Sequence, residues 1–326
     1  KSADFADDTD FTPCLSAFIR VLFSREEIMK RAVSVSLGSS ERDKQVEIEL
    51  FGEKVIIERQ GTDGDVDKAI ARFTELDGQV DAFGVGGIDL WVQMGDKRYP
   101  IHDAQKLVKN VSHTPVVDGS GLKNTLERMV VQTLIDELGP QMTNGRVLIT
   151  VGVDRYGMTL AFFENNYEVV CGDLMFALGI GIPVRSLKQL HLLAKFLVPI
   201  ATRLPLKMLY PTGEKQDEII PKFTKYYEWA TVIAGDCHYI RRHMPANLQG
   251  KIIVTNTTTM KDMDLFRERG VTHVITTTPQ LDGRSFGTNM MEAALTAVAD
   301  KKRPLSHAEL SDMLRQLNMK PSIHKL

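Results

Sequence analysis

The sequence has few cysteines, no excess of either charge and no long apolar run, and each shortage excludes a class of protein. Cys14, Cys171 and Cys237 are odd in number and scattered, so they predict neither a disulfide framework nor a zinc knuckle and favour a reducing cytoplasm. A formal net charge of −2 offers no concentrated basic surface for nucleic acid. The uncharged run 174–184 has 11 residues, against the ~20 of a membrane helix.

The length of 326 residues is enough for roughly two domains at ~150 residues each. We expect residues 1–28, which begin acidic and polar, to be an extension or an appended helix, although an ordinary first helix of the domain is an open alternative. Residues 29–121 are predicted as an α/β domain of the substrate-binding type. Residues 122–144 are predicted as a connecting helix and linker, and residues 145–326 as a Rossmann-like nucleotide-binding domain.

Alternating patterns in the first half predict strands, helices and antiparallel hairpins. Residues 32–40 are rich in β-branched side chains and end in a turn, which indicates a strand. Apolar residues with period two on both sides of Gly52 predict a β-hairpin. One long helix is predicted over residues 122–138, because apolar residues recur there at helical spacing and Gly139 and Pro140 follow.

Short apolar segments separated by helical patterns dominate the second half. Strands are predicted at residues 147–151, 167–171, 206–210, 231–234, 251–255 and 273–277. Parallel pairing follows, because a parallel connection needs a crossover. The predicted class is therefore α/β, with an N-terminal mixed-sheet domain followed by a Rossmann-like doubly wound parallel sheet, whose ligands bind at the carboxyl ends of the strands.

The stretch RVLITVGVDRYGMTLAFFENNYEVVCGD (146–173) reads as strand, turn, helix and strand, and it ends on an acid. A dinucleotide site needs a tight turn, a helix N-terminus for the pyrophosphate and an acid for the ribose hydroxyls. The turn between Gly152 and Gly157 and the acid Asp173 meet these needs, but Asp154 and Tyr156 fill the turn in place of the usual glycine spelling. We expect these five residues to contact a cofactor, NAD or NADP. A structural βαβ unit with another ligand is the alternative.

Polar side chains follow three later strands of the second half. The residues predicted to line a cofactor crevice are Asp236, Thr255, Asn256 and Thr277. Any one of them is as well explained as a turn former or a helix cap, and only their coincidence favours a site. Asp236, His238 and His243 match no standard metal-ligand spacing, so no metal is predicted.

The segment VVDGSGLKNTLER provides the strongest candidates of the first half. Asp118 and Lys123 lie between a strand and a helix and could form a proton-transfer pair. The helix N-terminus there could hold a substrate carboxylate. The side chains predicted to bind substrate are Ser36, Ser39, Ser120 and Asn124. A capped helix start with a solvated lysine is the plain alternative.

The stretches VSVSLGSS, GTDGD, DAFGVGGIDL, TPVVDGSGLKNTLER and TTTPQLDGRSFGTN resemble a group of bacterial proteins labelled quinate 5-dehydrogenase, from about Met29 onward. The resemblance implies kinship with shikimate and quinate dehydrogenases, in which an α/β substrate domain precedes a Rossmann domain for NAD or NADP. It also implies a lysine and an aspartate acting on the substrate hydroxyl.

The resulting hypothesis is a cytoplasmic NAD(P)-dependent oxidoreductase acting on a small hydroxylated carboxylic acid such as quinate or shikimate. Another nucleotide-using enzyme, such as a methyltransferase, and a non-catalytic ligand-sensing or assembly protein are the alternatives. The expected partner is a small-molecule substrate, without nucleic acid or membrane, and a homo-oligomer is left open.

Overall fold

A computed structural model describes residues 29–95, 97–206, 218–281 and 283–326 of the chain. The predicted extension 1–28 lies outside the described residues, and so do residues 207–210 of the predicted strand 206–210. The described chain forms two large β-sheets, each covered by helices on both faces, and two small two-stranded sheets. It is an α/β protein, as the sequence predicts.

The first sheet has five strands in the order β2-β3-β1-β4-β7. They are β1 (Lys30–Ser36), β2 (Lys44–Leu50), β3 (Glu53–Gly61), β4 (Ala82–Gly86) and β7 (Val116–Val117). Strand β2 is antiparallel to β3 in the predicted hairpin, and the other pairs are parallel. A separate hairpin is formed by β5 (Trp91–Met94) and β6 (Lys97–Pro100). The sheet is therefore mixed, with its antiparallel strand at one edge.

One face of the first sheet is covered by helices from the first half of the chain. These are α1 (Val66–Leu76), α2 (His102–Gln105) and a 3₁₀ turn, Lys106–Val108. Helix α1 begins at Asp65, whose side chain accepts a hydrogen bond from the Lys68 N–H, as an N-cap residue does. Phe73 of α1 packs edge-on against Phe83 of β4, with the ring centroids 5.2 Å apart. This contact lies at the centre of the apolar core on that face.

The single helix predicted over 122–138 is two helices, α3 (Ser120–Glu127) and α4 (Val130–Leu138). The break at Arg128 and Met129 coincides with a change of core. Leu122 and Leu126 belong to the core of the first sheet, whereas the apolar side chains of α4 belong to that of the second. The two segments serve different cores, which the continuous apolar period in the sequence does not reveal.

The second sheet has six strands in the order β9-β8-β10-β11-β12-β15. They are β8 (Arg146–Ile149), β9 (Glu168–Cys171), β10 (Val232–Ala234), β11 (Ile252–Thr255), β12 (His273–Thr276) and β15 (Ser322–Lys325). All pairs are parallel except β12 with β15. The fold of this half is Rossmann-like, and its antiparallel edge strand β15 is absent from the sequence prediction.

Helices alternate with these strands. They are α5 (Tyr156–Glu164), α6 (Leu187–Ala201), α7 (Thr224–Trp229), α8 (Cys237–His243) and α9 (Met260–Glu268). Helix α9 begins in a capping box between Thr259 and Asp262, which satisfies the first N–H groups of the helix reciprocally. None of the helices in the described ranges combines the length and the apolar content that crossing a bilayer requires.

The chain then returns to the first sheet. After the short strands β13 (Gln280–Leu281) and β14 (Arg284–Ser285) come α10 (Thr288–Ala299) and α11 (His307–Gln316). Met291 and Leu295 of α10 are fully buried in one core with Ala32 and Ile57. The predicted boundary at residue 145 assigns α10 and α11 to the second half of the chain. In the structure these two helices pack with the first sheet, although they follow most of the second sheet in sequence.

Candidate functional site

The second sheet changes direction between β8 and β10. The crossover after β8 leads to its neighbour β9 on one side, and the crossover after β10 leads to β11 on the other. Ligands of doubly wound sheets bind in the crevice that opens at such a point, outside the carboxyl ends of the two strands. Here the crevice is bordered by the turn 150–155 after β8 and by Gly235 and Asp236 after β10.

The guanidinium of Arg155 fills this crevice. Its Nη2 atom lies 2.6 Å from Oδ2 of Asp236, and its Nη1 lies 3.1 Å from Oε1 of Glu127. Nε lies 3.0 Å from a carboxylate oxygen of Asp154. Arg155 is buried and Glu127 of α3 has no exposed surface. Burial raises the pKa of Glu127, while Arg155 and Lys123 oppose the shift. An internal cluster of charges therefore stands where the sequence predicts a cofactor.

Asp173, the acid expected to face ribose hydroxyls, is bound to the turn itself. Its two carboxylate oxygens accept hydrogen bonds from the backbone N–H groups of Gly152 and Val153, each at 2.9 Å. Burial raises the pKa of Asp173, and these two N–H groups oppose the rise. The carboxylate therefore holds the turn in shape, and the N–H groups at its start already have an acceptor.

The start of α5, where a pyrophosphate is expected, is occupied by α3. The Gly157 N–H donates to Oδ1 of Asn124 at 3.2 Å, and the Met158 N–H donates to Oε2 of Glu127 at 3.3 Å. A Cβ atom on Gly157 would lie 2.5 Å from the Asn124 carbonyl oxygen. The glycine is therefore needed for contact between two helices. The hydroxyl of Tyr156 lies 2.7 Å from Nε2 of His191, within hydrogen-bonding distance.

These contacts test whether a dinucleotide fits the predicted turn. A pyrophosphate needs free backbone N–H groups at the helix start and close approach to the turn. Four N–H groups, of Gly152, Val153, Gly157 and Met158, instead donate to side chains of the protein. The residues present at this turn do not fit a pyrophosphate.

The remaining cofactor residues predicted at this rim divide into two groups. Asp236 and Asn256 lie together, with Nδ2 of Asn256 donating to Asp236 at 2.9 Å. Thr255 is buried and its hydroxyl donates to the Gly235 carbonyl at 2.8 Å. Thr277 is buried, and its N–H donates to the Thr255 carbonyl. The two threonines hold adjacent strand ends together, so only Asp236 and Asn256 join the charged cluster.

Lys123 pairs with an acid that the sequence reading does not single out. Its Nζ lies 3.3 Å from Oδ2 of Asp89, and the two side chains retain 14% and 29% exposure. The predicted partner Asp118 instead accepts hydrogen bonds from the N–H groups of Leu90 at 2.6 Å and Ser120 at 2.9 Å. Asp118 therefore positions the loop that carries Asp89. The sequence signal that could have indicated Asp89 is its position just after Gly86 and Gly87, at the end of strand β4.

The electrostatic surroundings place a cation between several acids. Burial raises the pKa of Asp89, Asp118 and Asp154 add to the rise, and Lys123 opposes it. Burial disfavours the charge of Lys123, but Asp89 and Asp154 raise its pKa overall. Burial acts to raise the pKa of Asp154, but Arg155 and Lys123 outweigh it and lower that pKa. Lys123 is therefore a charged ammonium that reaches acids from both sheets.

The N-terminus of α3, predicted to hold a substrate carboxylate, already holds one from the protein. Oε2 of Glu292 on α10 accepts the Leu122 N–H at 2.9 Å. The hydroxyl of Ser120 donates to Asp118 at 2.5 Å, and Nδ2 of Asn124 donates to the Ser120 carbonyl at 2.8 Å. Ser120 and Asn124 therefore stabilise the helix start internally.

Ser36 and Ser39 lie at the carboxyl end of β1 beside the half-buried Arg59. Nη2 of Arg59 donates to the Ser36 hydroxyl at 3.0 Å, and Nη1 donates to the Ser39 carbonyl at 2.9 Å. Helix α10 begins in the same region, where Nδ2 of Asn289 donates to Ser34. No side chain of the described residues caps the start of α10. Nη1 of Arg59 also lies 2.8 Å from Oδ1 of Asp43, so this corner is rich in donors and its arginine is paired with an acid.

A family model described as Domain of unknown function (DUF8754) matches residues 121–326, which is more than half of the chain. The chain belongs to the DUF8754 family. A second model, Domain of unknown function (DUF8753), matches residues 31–118. In this DUF8754 chain the two matches meet between β7 and α3. No curated protein matches the sequence.

Several solved structures are similar to the DUF8754 chain in fold. The NAD-dependent malic enzyme from Thermotoga maritima is 12% identical, with 97% of this chain and 95% of that chain covered and a TM-score of 0.38. The malic enzyme of Entamoeba histolytica is 9% identical, with coverages of 96% and 70% and a TM-score of 0.39. A periplasmic solute binding protein from Actinobacillus succinogenes with bound D-allose is 12% identical, with coverages of 91% and 97% and a TM-score of 0.33.

Proposed function

We propose that this protein is an enzyme that transfers a proton at a hydroxyl group of a small hydroxylated carboxylic acid, bound where the carboxyl ends of the two sheets meet. The observation that supports this most directly is the partly exposed Lys123–Asp89 pair, with 3.3 Å between Nζ and Oδ2. A lysine and a carboxylate held together at a cleft can act as an acid–base pair, which contributes about 10²–10⁴-fold to a rate.

The two side chains have different roles in this proposal. The Lys123 ammonium donates a hydrogen bond to the substrate hydroxyl oxygen and stabilises the negative charge that develops when the proton leaves. The Asp89 carboxylate accepts that proton. Burial raises the pKa of Asp89, which brings a carboxylate nearer to the strength that proton transfer near neutral pH requires.

The carboxylate of the substrate is assigned to the donor-rich corner at the end of β1, where it would share Arg59 with Asp43. Arg59 and the Ser36 hydroxyl lie there, beside the uncapped start of α10. A Cβ on Gly87 would lie 3.6 Å from Oγ of Ser36, and Asp89 is two residues further along. Two residues span at most about 7 Å, so one small molecule can reach both places.

Oxidation of that hydroxyl, with quinate or shikimate as the substrate, is the finer form of the proposal. It needs a hydride acceptor such as NAD or NADP; the strand order of the second sheet argues for one, and the occupied N–H groups of the turn at Gly152 argue against one. No step is therefore assigned to a cofactor. Proton transfer from the hydroxyl to Asp89 is by itself reversible and gives no product, so binding of the hydroxylated acid is the property that Lys123 and Asp89 are expected to control.

Calorimetry of the full chain with quinate and shikimate tests the proposal. Cyclohexanecarboxylate, which keeps the carboxylate and lacks the hydroxyls, is the ligand control. We expect saturable binding of a hydroxylated acid, weaker binding of the control, and loss of binding in Arg59→Met. If the hydroxylated acids and the control bind equally weakly, the proposal is wrong.

A further inference from the structure

Asp154 occupies a defined position in the turn after β8. Gly152, Asp154 and Gly157 stand at the first, third and sixth positions of the dinucleotide fingerprint, where glycine is usual. The middle glycine normally lets the backbone approach the pyrophosphate. The Asp154 side chain is 41% exposed there and bears a carboxylate. A second anion at that position would be repelled.

Glu127 takes the place that an anion of a ligand would take. Its carboxylate accepts the Met158 N–H at the start of α5 and binds the Arg155 guanidinium. A helix N-terminus and an arginine are together the usual partners of a bound phosphate. Glu127 is fully buried, so its carboxylate meets these donors out of contact with solvent.

The close contact of α3 and α5 keeps Glu127 in place. A Cβ atom on Gly157 would lie 2.5 Å from the Asn124 carbonyl oxygen, so the two helices touch through their backbones. Swinging the carboxylate out would require α3 to separate from α5 and would leave Arg155 with fewer partners. We propose that Glu127 fills the anion site at the start of α5 from within the chain, and that the turn 152–157 binds no dinucleotide pyrophosphate.

Rescue by small anions tests whether Glu127 occupies an anion site. Glu127→Ala removes the carboxylate and opens space beside Arg155. We expect a lower urea midpoint for this variant and a saturable recovery with acetate, which chloride at the same ionic strength does not produce. Wild type and Glu164→Ala, which removes an exposed acid of α5, should show no such recovery. An acetate response equal to that of chloride in Glu127→Ala would overturn the proposal.

Titration of the wild-type chain with NADH and NADPH is the second measurement, and it does not depend on the folding of a variant. We expect no saturable binding. Saturable binding of either nucleotide would overturn the inference while leaving the hydroxy-acid proposal intact. If the wild-type chain binds neither a hydroxylated acid nor a nucleotide, the hydroxy-acid proposal is wrong and the inference about the turn stands.

Discussion

The carboxyl group of Glu292 accepts the Leu122 N–H at 2.9 Å across a separation of 170 residues in sequence. The contact fixes the N-terminus of α3, and Glu127 at the other end of α3 fixes the N-terminus of α5. Two buried glutamate carboxyl groups therefore link α10, α3 and α5 in series. Each satisfies a helix start that would otherwise need water or a ligand. Lys123 is positioned by the middle helix of this series.

The pH dependence of stability should report Glu292. Burial raises the pKa of Glu292 to about 8, and Asp118 adds to the rise. The folded chain then keeps a proton that the unfolded carboxyl releases, so this contribution is fully present below the unfolded pKa and is lost as pH rises toward 8. In Glu292→Gln, the free energy of unfolding should fall less between about pH 5 and 8. Urea denaturation at several pH values measures this, with the exposed Glu268→Gln as control; parallel curves for all three proteins would contradict it.

Arg155→Met should destabilise the fold far more than Arg128→Met. Arg155 is buried between Glu127 and Asp236, and removing it leaves buried carboxylates unpaired, which costs on the order of 3–5 kcal/mol. The Arg128–Glu164 pair is half-exposed, and such pairs are worth about 1 kcal/mol or less. The two urea midpoints should differ accordingly. Equal decreases in the two urea midpoints would show that the ion pairs of Arg155 with Glu127 and Asp236 do not stabilise the fold.

Gly157→Ala reverses the usual sign of a glycine substitution in a helix. Alanine is normally the better helix former by about 1 kcal/mol. At Gly157 its Cβ would lie 2.5 Å from the Asn124 carbonyl oxygen, so we expect a loss of about 1–3 kcal/mol. Gly181→Ala is the control, because its Cβ would meet only Phe223 at 3.4 Å. A stabilised Gly157→Ala would refute the close contact of α3 and α5.

Lys123→Met and Asp89→Asn should each weaken calorimetric binding of the hydroxylated acid by about tenfold or more, because each removes a charged hydrogen-bonding partner of its hydroxyl group. Lys188→Met, on the exposed side of α6, should leave binding unchanged. In wild type, binding should weaken as pH falls through the raised pKa of Asp89, and Asp89→Asn should lose that pH dependence. A pH dependence retained in Asp89→Asn would assign it to another group.

The sequence predicts most elements whose cause is local. The strands near 147–151, 251–255 and 273–277 are present because each is a short apolar run between helices. The hairpin around Gly52 is present because its apolar residues alternate along both strands. Strand β15 escapes prediction, since a short edge strand with polar side chains carries no such pattern.

The candidate site is less predictable, because its pairs join distant parts of the chain. Arg155, Glu127 and Asp236 lie on three different elements, and no spacing in the sequence links them. The same holds for Asp89 and Lys123. Polar residues such as Asp236 and Asn256 follow the strand ends, but the sequence does not reveal that they bind one another. The carboxylates at the starts of α3 and α5 are invisible for the same reason.

The return of α10 to the first sheet has a consequence for biosynthesis. On one face, Ala32, Leu50 and Ile57 share their core with Met291 and Leu295, which are translated after five of the six strands of the second sheet. The nascent first sheet therefore keeps part of that face uncovered while those strands are made. A chain truncated before α10 would keep that face exposed and would be expected to aggregate.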